Sequence, residues 1–492
     1  MGTRRLISLV AATIVLTGSI GMASVAADTA ASPAPALKWT ACSTPELADF
    51  QCASYDVPRD WSDPSAGTFS LAVVRHKSTG KAGERIGSLF FNPGGPGGSG
   101  VANMPMLWAM TPASVKQRFD IVTWDPRGIG SSTPAVECEV PEWQFPPATG
   151  EVDWEEISDV VRTATAIANA DCLERYADVA PYVGTNSVVR DLDALRAAVG
   201  DRQLNYWGAS YGTRIGYVYA LTYPDRFRAI LLDGPVSPRS STEDFTFGYS
   251  TAADPAIGML FESYPDTKQQ YARVMAALEE APLRLSPTRE ITRWYVGYGL
   301  EGNAGSQASM PIVAMWLGKI DRAIFGSDKE KRVAKRFLRG LPAPVPTTMA
   351  GLPSFVQCLD YADRLSDAEQ DAMGNQIRAN APITGWYRAQ QIPGACEGLD
   401  ALEPDPVPLA QGNNWTARML ILGATRDSQT PYKWTTSMAN AFRSSVVVSY
   451  VGNQHVTYST TPSRCVNNAA SNYLLRLALP ALDIACDHVT DD

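Results

Sequence analysis

Residues 204–213 read LNYWGASYGT, a strand-like run followed by a turn that contains glycine and serine. The strand-like run Leu204–Trp207 leads directly into Gly208-Ala209-Ser210-Tyr211-Gly212, a G-x-S-x-G pattern. A serine in such a strand-to-helix turn is held in a strained backbone conformation, and the flanking glycines let neighbouring backbone approach closely. The pattern also occurs by chance, and an ordinary strand–turn–helix connection is the alternative, so the context has to decide. The helix-like segment Thr213–Tyr223 that follows favours Ser210 as a nucleophile.

Short β-branched or aromatic runs recur on both sides of this turn. Several of them are apolar on both faces, as buried parallel strands are. The segment Ser187–Val199 instead places apolar residues at spacings of three and four, which is typical of a helix with one buried face. Alternating strands and helices predict an α/β fold with a mostly parallel sheet and flanking helices. The predicted strands, besides Leu204–Trp207, are Phe69–Val74, Ile86–Phe91, Phe119–Trp124, Ala229–Leu232, Met419–Leu422 and Val446–Val451.

The alternation stops between Asp233 and Met419. This interval of roughly 185 residues is far longer than an ordinary connection between strands. It contains helix-like stretches at Lys268–Glu280 and Lys329–Leu338. We therefore expect a mainly helical cap, inserted between late strands and lying over the C-terminal edge of the sheet. The predicted domains are an α/β core over residues 41–240 and 409–492, and the cap over residues 241–408.

The base can be identified by elimination. A serine hydroxyl needs a base to take its proton, and histidine is the usual one. The chain has only three histidines. His76 lies in an early strand and His488 in the tail, whereas His455 follows the strand-like run Val446–Val451 in a loop. His455 is therefore the candidate base, and a surface loop histidine is the alternative.

Asp427 is the candidate acid that orients this imidazole. It follows the strand-like run Met419–Leu422 in the sequence GATRDSQTPY. A carboxylate after a late strand can reach the histidine loop and stabilise the imidazolium. The alternative acid is Asp233, at the end of the strand that follows the nucleophile helix.

Residues 90–100, FFNPGGPGGSG, predict an oxyanion hole. The glycines come directly after a strand, where backbone N–H groups can point at a developing negative charge. Pro96 has no N–H, so Gly95, with Gly94 as its neighbour, is expected to pair with the N–H of Tyr211. A flexible glycine linker is the alternative, and the missing G-K-[ST] ending excludes a phosphate-binding loop.

The first 27 residues have the layout of a secretory signal peptide. Arg4 and Arg5 precede an apolar run, Leu6 to Ile20, and small residues continue to Ala27. We expect cleavage after Ala27, an Ala- and Pro-rich leader over residues 28–40, and a secreted protein. An uncleaved membrane anchor is the alternative. No later segment is long and apolar enough to span a bilayer.

The cysteines agree with export. There are eight, all after the signal, and an oxidising compartment makes disulfides the default. Eight cysteines allow 105 pairings, and free buried thiols are the alternative. Closeness along the chain favours Cys42–Cys52, Cys138–Cys172, Cys358–Cys396 and Cys465–Cys486. No C-x-x-C pair or close histidine cluster is present, so we expect no metal site and no cofactor.

Composition excludes several classes of protein. The 492 residues are 45% hydrophobic and 19% charged, which does not fit a disordered chain. The net charge of −9 argues against a nucleic-acid partner, which usually requires a basic face.

Four motifs occur together in order: NPGGPGGSG, WDPRGIGSS, YWGASYGTRIG and DSQTPY…NQH. In these four motifs and their order, the chain resembles the secreted tripeptidyl aminopeptidase group of the α/β-hydrolases, which is related to prolyl aminopeptidases. The likeness runs from about Trp39 to Cys486, and the order Ser210…Asp427…His455 is that of the α/β-hydrolases. It implies an α/β-hydrolase fold with a helical cap that narrows the cleft. It also implies an exopeptidase, expected here as a monomer, that removes short peptides, often tripeptides, from substrates with a free N-terminus.

Three details refine this resemblance. Many members have Gly-His-Gly around the base, where this chain has Asn453-Gln454-His455. In WDPRGIGSS, Asp125 and Arg127 are expected to brace loops. An aminopeptidase must bind a substrate ammonium, and Asp360, in a C-x-D that the group usually carries, is the candidate carboxylate; a structural Asp is the alternative. Some relatives behave as carboxylesterases, so an esterase with the same triad and a non-catalytic binding protein remain as alternative functions.

Overall fold

The computed structural model describes residues 35–139, 145–342, 351–391, 394–409 and 418–487. The predicted signal peptide, the first part of the predicted leader and His488 lie outside the described residues.

Each strand that the sequence predicts coincides with a strand of the structure, within a few residues at its ends. The strands of the described residues are β1 (Thr40–Ala41), β2 (Gln51–Pro58), β3 (Thr68–His76), β4 (Gly87–Asn92), β5 (Phe119–Trp124), β6 (Leu204–Ala209), β7 (Phe227–Asp233), β8 (Leu283–Ser286), β9 (Arg289–Ile291), β10 (Leu420–Ala424), β11 (Val446–Val451) and β12 (Ile484–Asp487).

The predicted helices are also present. The α-helices of the described residues are α1 (Gly100–Met110), α2 (Ala113–Lys116), α3 (Trp154–Arg175), α4 (Thr185–Ala198), α5 (Gly212–Thr222), α6 (Thr242–Thr251), α7 (Ala253–Ser263), α8 (Pro265–Glu280), α9 (Arg293–Glu301), α10 (Met310–Phe325), α11 (Asp328–Arg339), α12 (Leu352–Asp360), α13 (Asp367–Asn380), α14 (Gly385–Gln391), α15 (Tyr432–Ala441) and α16 (Arg464–Arg476). None of these helices is both long and apolar enough to cross a membrane.

Within the described residues, ten strands form one sheet in the order β1-β2-β3-β5-β4-β6-β7-β10-β11-β12. The pairings along β5-β4-β6-β7-β10-β11-β12 are all parallel, and the antiparallel pairings of this sheet are β1 with β2, β2 with β3 and β3 with β5. The prediction of a mostly parallel sheet with flanking helices is therefore confirmed. Strands β1, β2 and β12 of this sheet were not predicted, because β1 and β12 have only two and four residues and β2 is partly exposed near the antiparallel edge.

The centre of the sheet is buried on both faces. Every residue of β4, β5 and β6 is buried. Successive side chains of a strand point to opposite faces, so Tyr206 packs in the apolar cluster on one side and Trp207 in the cluster on the other. This double burial explains why these strands read as continuous apolar runs rather than as alternating patterns.

The long interval between β7 and β10 is mainly helical. It holds helices α6 to α14 and the two-stranded β8–β9 sheet in its described part. Some of these helices share an apolar cluster of their own, which includes Val274, Leu317 and Ile320. Helix α3, which precedes Ser210 in sequence, also contacts this region, because Asn169 Nδ2 donates to Ala395 O at 3.0 Å. The domain boundaries given above stay predictions.

Four disulfides join Cys42 to Cys52, Cys138 to Cys172, Cys358 to Cys396 and Cys465 to Cys486. The pairing favoured by closeness along the chain is therefore confirmed. One disulfide ties α12 to the segment after α14, and another ties α16 to β12 at the edge of the sheet.

Candidate active site

Ser210 lies in a left-handed backbone conformation between β6 and α5, with φ of 55°. A non-glycine residue held in this region costs about 1–3 kcal/mol and is common at active sites. The turn is tight, because a Cβ added at Gly208 would lie 2.4 Å from the carbonyl oxygen of Gly212. A Cβ added at Gly212 would lie 2.6 Å from the carbonyl oxygen of Asn92, at the end of the neighbouring strand β4. The two glycines of G-x-S-x-G are thus required by close backbone approach.

The structure brings Asp427 and His455 together. The Nδ1 atom of His455 lies 2.9 Å from Oδ1 and 3.1 Å from Oδ2 of Asp427. The carboxylate is fixed in turn, since its Oδ1 accepts hydrogen bonds from the N–H groups of Gln429 and Thr430 at 2.8 and 2.9 Å. The Thr430 hydroxyl donates to Oδ2 at 3.0 Å. An imidazole that donates from Nδ1 to a carboxylate keeps Nε2 free to accept a proton.

This pairing changes the basicity of the imidazole. Burial alone would lower the pKa of His455. The negative charge and hydrogen bond of Asp427, together with the charge of Asp233, outweigh burial, so the pKa of His455 is raised above its ordinary value of 6.5. A stronger base is better suited to take a proton from a serine hydroxyl.

Asp233, the alternative acid, has other partners. Its Oδ1 accepts hydrogen bonds from the N–H and hydroxyl groups of Thr457, and its Oδ2 accepts one from the N–H of Tyr458 at 2.8 Å. Burial raises the pKa of Asp233 to about 6. Its backbone carbonyl accepts a hydrogen bond from the N–H of Ser210 at 2.9 Å. Asp233 thus holds the loop that follows His455 and the turn that carries Ser210.

The predicted oxyanion loop lies against the turn that carries Ser210. Gly94 and Gly95 have φ of 94° and 116°, which favour glycine. A Cβ added at Gly94 would lie 3.0 Å from Cβ of Ser210 and 2.9 Å from the backbone nitrogen of Tyr211. The N–H of Gly94 donates to Oδ1 of Asn92, whereas those of Gly95 and Tyr211 have no hydrogen-bond acceptor among the described residues.

The WDPRGIGSS turn braces its surroundings. Asp125 Oδ1 accepts hydrogen bonds from the Ser99 hydroxyl at 2.6 Å and from the N–H of Val101 at 2.9 Å, which fixes the end of the predicted oxyanion loop and the start of α1 to the turn after β5. Arg127 forms a fully buried ion pair with Asp191 of α4.

A cleft with mostly apolar walls opens beside these groups. Gly95, Ser210 and Tyr211 share it, and it encloses about 630 Å³ including its mouth. The aromatic part of its wall comes from Phe245 and Tyr249 of α6, Tyr361 after α12 and Trp434 of α15. Phe245 stacks on Trp434 with ring centroids 5.5 Å apart. The sequence did not indicate these residues, because they come from separate segments that share no motif. No cluster of three or more side chains able to hold a metal ion occurs among the described residues.

The structure places Asp360 behind the wall of this cleft rather than on its surface. Its side chain is 0% exposed and forms an ion pair with Arg214 of α5, from Nη1 to Oδ2 at 3.1 Å. Thr185 donates to both of its oxygens, from N–H at 2.9 Å and from Oγ1 at 2.6 Å. This corrects the expectation that Asp360 binds a substrate ammonium, since both oxygens are occupied and neither is open to the cleft. The alternative of a structural Asp fits this placement.

Two family models match this chain. One, described as alpha/beta hydrolase fold, matches residues 87–295 and so contains Ser210 and the oxyanion loop. The other, described as TAP-like protein, matches residues 381–486 and contains Asp427 and His455.

Several curated proteins are similar over most of their length. "Tripeptidyl aminopeptidase" of Streptomyces lividans is 28% identical over 89% of this chain and 83% of that protein. "Serine protease Hip1" of Mycobacterium tuberculosis is 27% identical over 97% of this chain and 96% of that protein. "Carboxylesterase B" of Mycobacterium tuberculosis is 28% identical over 92% of this chain and 90% of that protein. With its parallel sheet, the two matching models and these relatives, the chain is a serine hydrolase of the α/β-hydrolase fold, and its C-terminal region matches the TAP-like model.

Proposed function

We propose that this protein is a secreted serine exopeptidase that releases short peptides, tripeptides in particular, from free N-termini. Ser210 is its nucleophile, His455 its base and Asp427 the acid that orients the base. The observation that carries this proposal is the hydrogen-bonded His455–Asp427 pair, which lies at the same edge of the sheet as the strained Ser210 turn.

The chemistry follows from these groups. Ser210 Oγ attacks the carbonyl carbon of the scissile bond while Nε2 of His455 takes the hydroxyl proton. The N–H groups of Gly95 and Tyr211 donate to the oxyanion, and Asp427 stabilises the imidazolium. His455 then returns the proton to the leaving amine as the C–N bond breaks. Water, activated by His455, attacks the acyl-enzyme and frees Ser210.

Two observations support a peptidase rather than a general hydrolase. Relatives that cover most of the chain are named as a tripeptidyl aminopeptidase and a serine protease. A helical insertion also supplies part of the cleft wall, through Phe245 and Tyr249 of α6. A covered cleft admits the end of a peptide more readily than a chain that continues in both directions, which suits an exopeptidase.

A carboxylesterase with the same triad is the second candidate function. A relative named Carboxylesterase B covers most of the chain, and the attack of Ser210 on an ester carbonyl needs no other groups. An esterase would not need to recognise a substrate ammonium, so the two candidates differ in their response to a blocked N-terminus.

One assay separates these functions. The purified protein and its Ser210→Ala variant are given a tripeptide amide, the same peptide with an acetylated N-terminus, and a short-chain ester. We expect the wild type to cleave the free peptide faster than the acetylated one, and the variant to cleave neither. Cleavage of the ester alone would favour the carboxylesterase, and inertness towards all three would favour a binding protein.

Secretion is part of the same proposal. Four disulfides fit an oxidising compartment. N-terminal sequencing of the protein from culture medium is expected to begin at Asp28, after removal of the predicted signal. A protein retained in the membrane with an intact N-terminus would contradict this part of the proposal.

A further inference from the structure

The loop that carries His455 is hydrogen-bonded to the helical insertion. The N–H of His455 donates to the carbonyl oxygen of Gly305 at 2.8 Å, and the N–H of Gln307 donates to the carbonyl oxygen of Asn453 at 2.8 Å. These two bonds form an isolated antiparallel bridge between Ser306 and Gln454. Residues 305–307 lie between α9 and α10, so the bridge joins segments far apart in the chain.

Side chains reinforce the bridge. Ser306 Oγ donates to Oε1 of Gln454 at 2.9 Å, and Nε2 of Gln454 donates to the carbonyl oxygen of His455 at 3.2 Å. Gln454 occupies the position directly before the base, and a residue without a side chain there could not make either bond. The Asn453-Gln454-His455 sequence thus has a definite role in this chain.

The other side of the same loop is held by the core. Asp233 at the end of β7 accepts the N–H groups of Thr457 and Tyr458, both at 2.8 Å. Between the two attachments, Val456 has φ of 64°, a conformation that a β-branched residue adopts only when its surroundings impose it. The backbone of His455 is therefore fixed from the insertion on one side and from the sheet on the other.

We propose that Ser306 and Gln307 are positioning residues for the base. Together with Gly305 they form a cap latch, residues 305–307, that holds the backbone of residues 453–455 so that the His455 imidazole meets Ser210. This inference rests on the proposed roles of Ser210 and His455. A shift of about 1 Å in a catalytic group can cost up to 10²-fold in rate, so the loss of one backbone bond of the latch has a measurable effect.

The chain offers a substitution that removes a single bond of the cap latch. Gln307 begins a 3-10 helix, Gln307–Ser309, whose N-cap is Ser306. Proline is well accepted at the first position of a helix, and the preceding Ser306 already has the extended conformation, φ −151° and ψ 134°, that proline requires before it. Gln307→Pro therefore deletes the N–H that donates to Asn453. Gln307→Ala is the matched control, because it removes the same side chain and keeps the N–H.

The test measures the rate at which a serine-directed aryl phosphonate labels Ser210, as a function of pH. This reaction needs the nucleophile and base but no particular substrate. We expect Gln307→Pro to be labelled about tenfold more slowly than the wild type, and Gln307→Ala at least fivefold faster than Gln307→Pro. The pH midpoint on the acid side of the labelling-rate profile should be lower in Gln307→Pro than in the wild type, because a displaced imidazole interacts less with Asp427. A role limited to stability would change the fraction of folded protein and leave this midpoint in place.

Gln307→Pro labelled at the wild-type rate, with the same midpoint, would overturn the proposal. A wild type that is not labelled at Ser210 would instead overturn the proposed function. If Gln307→Pro does not fold, Ser306→Ala and Ser306→Thr give the answer. Ser306→Ala loses the hydroxyl that bonds Gln454 and is expected to react about threefold more slowly, with the rate restored in Ser306→Thr. Equal rates for Ser306→Ala and the wild type would refute the cap latch.

Discussion

At the residue scale, the Asp427 carboxylate is fixed before any substrate arrives. Two backbone N–H groups and the Thr430 hydroxyl donate to it, and His455 Nδ1 lies within 3.1 Å of both its oxygens. A carboxylate held in this way selects one imidazole tautomer and stabilises the imidazolium. Asp233, also buried nearby, has its oxygens bonded to Thr457 and Tyr458 instead.

This difference in partners predicts the effects of two matched substitutions. Asp427→Asn removes the charge that stabilises the imidazolium and is expected to lower kcat by about 10³–10⁴-fold. Asp233→Asn keeps a carbonyl oxygen for Thr457 and is expected to lower kcat far less. Steady-state kinetics on one substrate compares the two. A larger loss in Asp233→Asn would assign the acid to Asp233.

The pKa of His455 predicts a pH profile. Below this pKa the imidazole is protonated and cannot accept the serine proton, so activity is lost as the pH falls through it. Because Asp427 and Asp233 raise the pKa of His455, the acid midpoint of kcat/KM is expected above 6.5. In Asp427→Asn the midpoint should move to lower pH, provided that the residual activity is measurable. A midpoint at or below 6.5 in the wild type would contradict the geometry.

The sequence predicted some residues of this site better than others. With three histidines, only His455 follows a predicted late strand, so scarcity identified the candidate base. Asp360 is different, because its environment depends on Arg214 of α5 and Thr185 of α4, which are far away in sequence. A C-x-D motif does not show whether its carboxylate is buried and paired, and the expected ammonium role was wrong for that reason.

At the scale of elements, the loop between β4 and α1 has to fit against the turn between β6 and α5. Adjacent parallel strands bring their C-terminal ends together, so the two segments meet. Gly94 lies at the closest approach, where an added Cβ would be 2.6 Å from the carbonyl oxygen of Ala209.

Gly94→Ala is therefore expected to displace the oxyanion loop and lower kcat by at least tenfold, since a lost oxyanion donor costs about 3–4 kcal/mol of barrier. Gly83→Ala is the control, because a Cβ at this exposed glycine would meet no atom within 4 Å. Both variants are compared by kcat and by thermal unfolding. If Gly94→Ala keeps wild-type kcat, the oxyanion assignment to this loop is wrong.

The pattern of apolar residues along the chain predicted the strands that are buried on both faces and the helices that are buried along one stripe. Strand β5 (Phe119–Trp124) and strand β11 (Val446–Val451) have the predicted bounds. The contact of α3 with the segment after α14 was not predicted, because α3 precedes Ser210 in the chain. The hydrogen bonds that Asn169 of α3 donates to this segment join residues more than 200 positions apart. Local pattern carries information on element type, but not on which distant segment an element packs against.

At the scale of the whole molecule, the inserted helices are tied to the core by a buried ion pair. Arg214 of α5 and Asp360 of α12 have side chains 3% and 0% exposed. Removing one partner of a buried pair leaves an uncompensated charge, which typically costs about 3–5 kcal/mol. Arg214 and Tyr361 line the cleft, and Asp360 lies behind them.

Asp360→Asn is therefore expected to lower the free energy of unfolding by about 3 kcal/mol. Asp171→Asn is the matched control, because it breaks an exposed ion pair with Arg175, whose side chains are 61% and 44% exposed. That pair should contribute no more than about 0.5 kcal/mol. Urea unfolding of the disulfide-intact proteins measures both. Equal stabilities for the two variants would show that the pair does not attach the helices to the core.

The proposed function depends on Ser210 as the nucleophile of a covalent mechanism. The most direct measurement is mass spectrometry of the protein after treatment with a serine-directed phosphonate, followed by peptide mapping. We predict one adduct, on the peptide that contains Ser210, together with loss of hydrolysis, and no adduct on that peptide in Ser210→Ala. An adduct on a different peptide, or a Ser210→Ala variant that turns over substrate at the wild-type rate, would contradict the role of Ser210 as the nucleophile.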